Sequence, residues 1–169
     1  MQRTEFLDSL CAIAAAVPLG VSAPAPPLHV AGIAIPDTAL ARDAGALAAG
    51  AEKVEIYNHS LRTFFFAELL AKAMGIAHDP EVVYVAAILH DLGLTSRYMS
   101  DGNRFEVDGA NAARALLEKH GVASERVDLA WDAIALHDSG GIARFKQPEV
   151  RLVNAGVAAD FGANLDRLG

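Results

Sequence analysis

From Pro36 onward, apolar residues recur at helical intervals, interrupted by short polar, Gly- or Pro-containing segments. Pro36-Asp37-Thr38 opens the first helix, because Pro suits a first turn and Asp or Thr can cap it. The Ala-rich stretch Ala39 to Ala51 then has good helix propensity, weakened at Gly45 and Gly50. A longer helix is predicted over Lys53 to Met74, with Ile56, Leu61, Phe64, Phe65, Leu69 and Ala73 at helical spacing and Gly75 as its C-cap. Pro80 to about Asp91 is apolar on every side except at Tyr84, the mark of a central helix. Leu94 to Arg104 reads as a loop. Glu106 to His120, Ser124 to about His137, and Pro148 to Phe161 complete the set. The pattern holds no internal repeat and no β-hairpin signal. It predicts an all-α fold, a single helical domain of about six helices around one core.

Residues 1–34 read differently. Leu10 to Val21 is apolar, but Glu5 and Asp8 offset Arg3 ahead of it, and Pro18 and Gly20 interrupt it. That flanking pattern favours a short amphipathic helix near Thr4 to Ala16 over an export signal. An arm stiffened by Pro24, Pro26 and Pro27 follows. The predicted organisation is an N-terminal helix and Pro-rich arm over 1–34 and a helical domain over 35–169.

Composition removes several classes of function. The net charge of −7 disfavours nucleic acid, whose phosphates call for an excess of Lys and Arg. No apolar run is long enough to span a bilayer, so no membrane partner is expected. A single cysteine, Cys11, excludes an intrachain disulfide framework and a Cys-rich zinc knuckle. With no strong export signal, a cytoplasmic location is the expectation.

The chemistry lies in the histidines. His78-Asp79, His90-Asp91 and His137-Asp138 share a dipeptide, and context ranks them. His78-Asp79 falls in a polar turn, where Asp79 serves as a helix cap. His90-Asp91 closes the most apolar segment of the chain, where buried polar groups must find partners. His59 lies on the long helix ahead of three phenylalanines, and Asp160 lies in the apolar run Val157 to Phe161. Together these offer two imidazoles and two carboxylates, a donor set suited to Zn²⁺, Fe²⁺ or Mn²⁺. Adjacent His and Asp reach one ion poorly along a regular helix, and a helix end near Gly93 supplies the needed turn.

His59, then Leu89-His90-Asp91-Leu92-Gly93, then Asp160 resembles the H…HD…D pattern of the HD metal-hydrolase superfamily. Ile35-Pro36-Asp37-Thr38, Asn58-His59-Ser60-Leu61-Arg62, Phe105-Glu106-Val107-Asp108-Gly109-Ala110 and Ala133-Ile134-Ala135-Leu136-His137 are similar to its cyanamide hydratase-like branch. The resemblance implies one divalent metal ion (Zn or Fe, with Mn also suitable) held by His59, His90, Asp91 and Asp160. It implies a small-molecule substrate and a metal-bound water acting on a nitrile-like or amide-like group. Alternatives are a metallophosphohydrolase acting on a nucleotide-like ester, and a non-catalytic, metal-stabilised helical binding protein. His137 reads as a general acid/base at the pocket edge or as a plain helix-end residue. Arg62 shares the His59 face at i+3, for substrate contact or for a salt bridge to another helix. Asp108 and Asp138 read as surface residues or caps.

Overall fold

A computed structural model of the chain describes residues 29–168. The expected Thr4 to Ala16 helix, Pro24, Pro26, Pro27 and Cys11 lie outside those residues. Among the described residues there are seven α-helices: α1 (Ala39–Ala51), α2 (Val54–Met74), α3 (Pro80–Leu89), α4 (Phe105–Lys119), α5 (Ser124–Ala135), α6 (Gly140–Ala143) and α7 (Pro148–Asp160). Short 3₁₀ turns follow at Leu92–Leu94 and Leu165–Leu168. The fold is all-α. Its helix number matches the expected six once the single turn α6, which sits on the anticipated Ser139-Gly140-Gly141 stop, is set aside.

The caps form where the sequence places them. Thr38 accepts from the Ala41 amide at 3.0 Å to start α1. Asp79 accepts from the Glu81 and Val82 amides to start α3, with Pro80 in the first turn. Gly75 ends α2 at φ +64°, a left-handed conformation that glycine adopts without a Cβ penalty.

α3 is the axis of the molecule. Every residue from Val82 to Leu89 is buried, Tyr84 included, and α1, α2, α4, α5 and α7 all pack on it. Its uniform hydrophobicity follows from this position, since it has no solvent face to supply. Phe64, Phe65 and Phe66 join the same core.

Two features depart from the sequence expectation. The end of the N-terminal arm forms a small antiparallel hairpin, His29–Val30 (β1) with Ile33–Ala34 (β2), which places Val30 and Ile33 in the core and β2 against α2. Its turn residues, Ala31 and Gly32, both have positive φ. That is the geometry of a two-residue hairpin turn, but Ala31 stands where Asn or Asp would ordinarily announce it. The second departure is Asp108, expected at the surface or as a cap. It is buried and accepts hydrogen bonds from the Ser100 amide and hydroxyl and from Asn103, so it fastens the 95–104 loop to α4.

Candidate metal centre

α2 presents His59 and Arg62 on one face, three residues apart, and both reach the last residue of α7. His59 Nδ1 lies 2.6 Å from Asp160 Oδ2. Arg62 donates from Nε to Asp160 Oδ1 at 2.7 Å and from Nη2 to Oδ2 at 2.9 Å. This contact requires α2 and α7 to lie close together. Gly156 allows it: a Cβ there would stand 2.3 Å from the Thr63 carbonyl oxygen.

The second pair comes from the end of α3. His90 still has helical backbone angles, but Asp91, at φ −98° and ψ 5°, leaves the helix before the 3₁₀ turn. The chain turns there against the start of α4, where a Cβ on Gly93 would meet the Phe105 carbonyl oxygen at 2.0 Å. This is the turn the sequence placed near Gly93, and it lets adjacent side chains face one point. His90 Nε2 lies 3.2 Å from His59 Nε2. Asp91 Oδ2 lies 3.4 Å from His90 Nε2 and 3.9 Å from His59 Nε2. One donor atom from each of His59, His90 and Asp91 falls within 4.8 Å of the others.

The hydrogen bonds assign the tautomers. His90 Nδ1 donates to the Ala87 carbonyl at 2.7 Å, an oxygen that can only accept. His59 Nδ1 faces the Asp160 carboxylate and donates to it. Each ring of neutral imidazole therefore turns a bare Nε2 lone pair towards the other. Complete burial holds His90 well below the ordinary histidine range, so it stays neutral. Two lone pairs at that separation beside a carboxylate repel one another, and a cation among them reverses the sign. Donors about 2.1 Å from a tetrahedral ion stand about 3.4 Å apart, which these atoms nearly match.

The surrounding carboxyl groups add to the case. Burial raises Asp91, and the Glu106 charge raises it further, against the pull of His137 and His59. Burial and the Asp91 charge push Glu52 up to about 8. Both Glu52 oxygens are buried without a hydrogen-bond partner. Burial would also raise Asp160, but hydrogen bonds from His59 and Arg62 outweigh it and bring it down to about 2. The donor types, their spacing and the concentration of carboxyl groups fit a divalent cation at His59, His90 and Asp91. Asp160 meets the far nitrogen of the His59 ring, where it fixes the ring's orientation.

His137 completes the lining. Its ring is buried and crosses the His90 ring at 4.6 Å and 72°. Its Nδ1 donates to the Ile134 carbonyl at 2.7 Å, leaving Nε2 bare at 3.8 Å from Asp91 Oδ1. Asn154 on α7 donates to the His137 carbonyl at 2.6 Å. The other histidines and Thr95 are engaged or exposed elsewhere. His78 bonds Glu68, His120 bonds Asp43, His29 is exposed, and Thr95 closes a turn onto the Leu92 carbonyl. Asp138 is exposed and accepts from Arg104, which also holds the buried Glu106. Glu52 and Glu106 are the residues of this region that the sequence reading passed over. Glu52 follows an Ala-rich helix with no periodic signal, while Glu106 was read only as a helix start and as part of a family-like motif.

A family model described as HD domain matches residues 56–157, which include His59, His90, Asp91 and His137 and end three positions before Asp160. No curated protein matches the chain.

Proposed function

The chain belongs to the HD domain family, a superfamily of metal-dependent hydrolases, and on that footing we propose that it adds water to a small, uncharged nitrile-like or amide-like molecule, as in the cyanamide hydratase-like branch. The observation that carries the substrate class is the charge around the centre. Asp160 engages Arg62 through two hydrogen bonds, and Glu106 and Asp138 engage Arg104. Glu52, Asp91, Glu106 and Asp160 surround the same region with carboxyl groups. A phosphoester needs cationic stabilisation of its oxygens, which this arrangement spends on its own acids. A neutral substrate needs none.

His59, His90 and Asp91 would hold the ion, Zn or Fe by donor type with Mn also suitable. Such an ion lowers the pKa of bound water towards about 7. Asp160 keeps the His59 ring turned with Nε2 inward, and Arg62 keeps Asp160 in place. His137 is the proton carrier in this reading, because its bare Nε2 points into the centre. It takes a proton from the attacking water as the carbon–oxygen bond forms. It returns that proton to the substrate nitrogen as one π bond of the nitrile breaks. With cyanamide this gives isourea, and transfer of its hydroxyl proton to the imine nitrogen yields urea.

The test is incubation of the metal-loaded protein with cyanamide, following urea. Urea formation that falls at least a hundredfold in His137→Ala, at unchanged metal content, supports the reading. No urea, together with phosphate release from a panel of nucleotides, overturns it in favour of a phosphohydrolase.

A further inference from the structure

A cavity of about 360 Å³, lined by none of the residues of the metal centre, lies between α2, α7 and the Leu165–Leu168 turn. Its lining is unusual for a protein with net charge −7. Arg144, Arg151 and Arg167 all line it, with no carboxylate among the lining residues. Elsewhere in the described residues, arginine is matched to acid: Arg42 to Asp37, Arg62 to Asp160, Arg104 to Glu106, Arg114 to Asp128 and Arg126 to Asp79. Arg97, Arg144, Arg151 and Arg167 form no such pair, and three of these four meet at this cavity.

Arg144 stacks on the Phe145 ring at 4.6 Å, and Arg167 rests a guanidinium nitrogen 3.7 Å from the Met74 sulfur. These contacts orient the two side chains without neutralising them. The lining also includes apolar side chains, among them Leu70, Ile76 and Leu152, together with Asn154 and Asn164. Arg151 is half-buried and Arg144 and Arg167 are exposed, so the three present like charge to one space that no lining carboxylate offsets, an arrangement that favours an anionic ligand. The planar fork of arginine matches phosphate oxygens in paired hydrogen bonds, and a dianion balances several guanidinium groups better than a carboxylate does.

We infer that this cavity binds a small molecule carrying a phosphate group on an apolar body, at a site separate from the metal centre. The inference does not rest on the proposed reaction. The guanidinium groups take the phosphate, and Leu70 and Leu152 take the body. The volume is of the order expected for a small-molecule pocket.

Calorimetric titration of phenyl phosphate, inorganic phosphate and phenol into the chelator-treated, metal-free protein tests it. Phenyl phosphate should bind more tightly than inorganic phosphate, and phenol should not bind. Arg151→Gln and Arg144→Gln should each weaken phenyl phosphate about tenfold or more. Both variants should melt within a few degrees of the parent protein, since neither side chain has an acid partner to lose. No binding of phenyl phosphate, or binding unchanged in both variants, overturns the inference. Binding that appears only after metal is restored also overturns it, because the phosphate then sits at the metal centre.

Discussion

His59 and His90 face each other through Nε2 atoms 3.2 Å apart, with each ring's proton already committed on its other nitrogen, to Asp160 and to the Ala87 carbonyl. A cation that binds here relieves a repulsion built into the fold. Saturating metal should therefore stabilise the protein; at a hundred times the dissociation constant the gain is about 2.7 kcal/mol. That corresponds to a rise in Tm of roughly 8 °C for a chain of this size. Asp91→Asn and His90→Ala should abolish the rise and reduce bound metal, read by elemental analysis, to a small fraction of one equivalent. An unchanged rise in both variants would remove the site.

Asp160 distinguishes two arrangements. The sequence resemblance makes it a fourth ligand, while the structure engages its oxygens with His59 and Arg62. If its role is to fix the His59 tautomer, Asp160→Asn should weaken metal binding about 10- to 100-fold, the usual cost of losing such a partner. The variant should still fill at high metal concentration. Competition against a chromogenic chelator measures this. A loss as complete as that of Asp91→Asn would identify Asp160 as a direct ligand.

Glu52 ties stability to pH. Its carboxyl titrates near 8 in the folded, metal-free protein and near 4.5 when unfolded. Below about pH 4.5 both states hold the proton and there is no penalty. As pH rises from 4.5 towards 8 the unfolded chain releases the proton and the folded chain does not, so stability falls. Glu52→Gln removes that slope. The variant should lie within about 1 kcal/mol of the parent at pH 5 and exceed it by about 4 kcal/mol at pH 8, at about 1.4 kcal/mol per pH unit between 4.5 and 8. Thermal melts of metal-free protein across that range check it, and parallel curves for the two proteins would contradict it.

The helix approach that brings Asp160 to His59 depends on a missing side chain. Gly156→Ala places a carbon 2.3 Å from the Thr63 carbonyl oxygen, on backbone that cannot swing aside. Destabilisation of about 3 kcal/mol is expected, of the order seen for overpacked cores. Metal affinity should fall with it, since α7 carries Asp160. Gly50→Ala is the control: it lies within α1 and an added Cβ there meets nothing within 4 Å. It should stabilise by about 0.5–1 kcal/mol. Denaturant titration of the two variants reads both signs.

The sequence revealed most where one physical demand dominated a segment. α3 was legible because a helix enclosed on all sides is apolar on all sides, and the His90-Asp91 turn because Gly93 follows it. Arg62 was legible as far as its helix face, and a salt bridge to another helix was one of its two readings. The hairpin was not legible: two-residue strands have no alternation to detect, and Ala31 hides a turn that Asn would have marked. Asp108 was misjudged because its partners, Ser100 and Asn103, lie in a loop whose path the sequence does not determine. Asp160 was found by spacing, but spacing does not say whether its oxygens turn to a cation or to the back of a histidine ring.

His90 and Asp91 stand at the tip of α3, which five other helices enclose. Their positions are therefore held by the packing of the whole interior, and the socket exists before any ion enters it. An arriving ion has no coil to organise around itself. How quickly it lodges depends on how readily it sheds its own hydration shell, and any mismatch in size is borne by the ion's coordination rather than by a yielding chain.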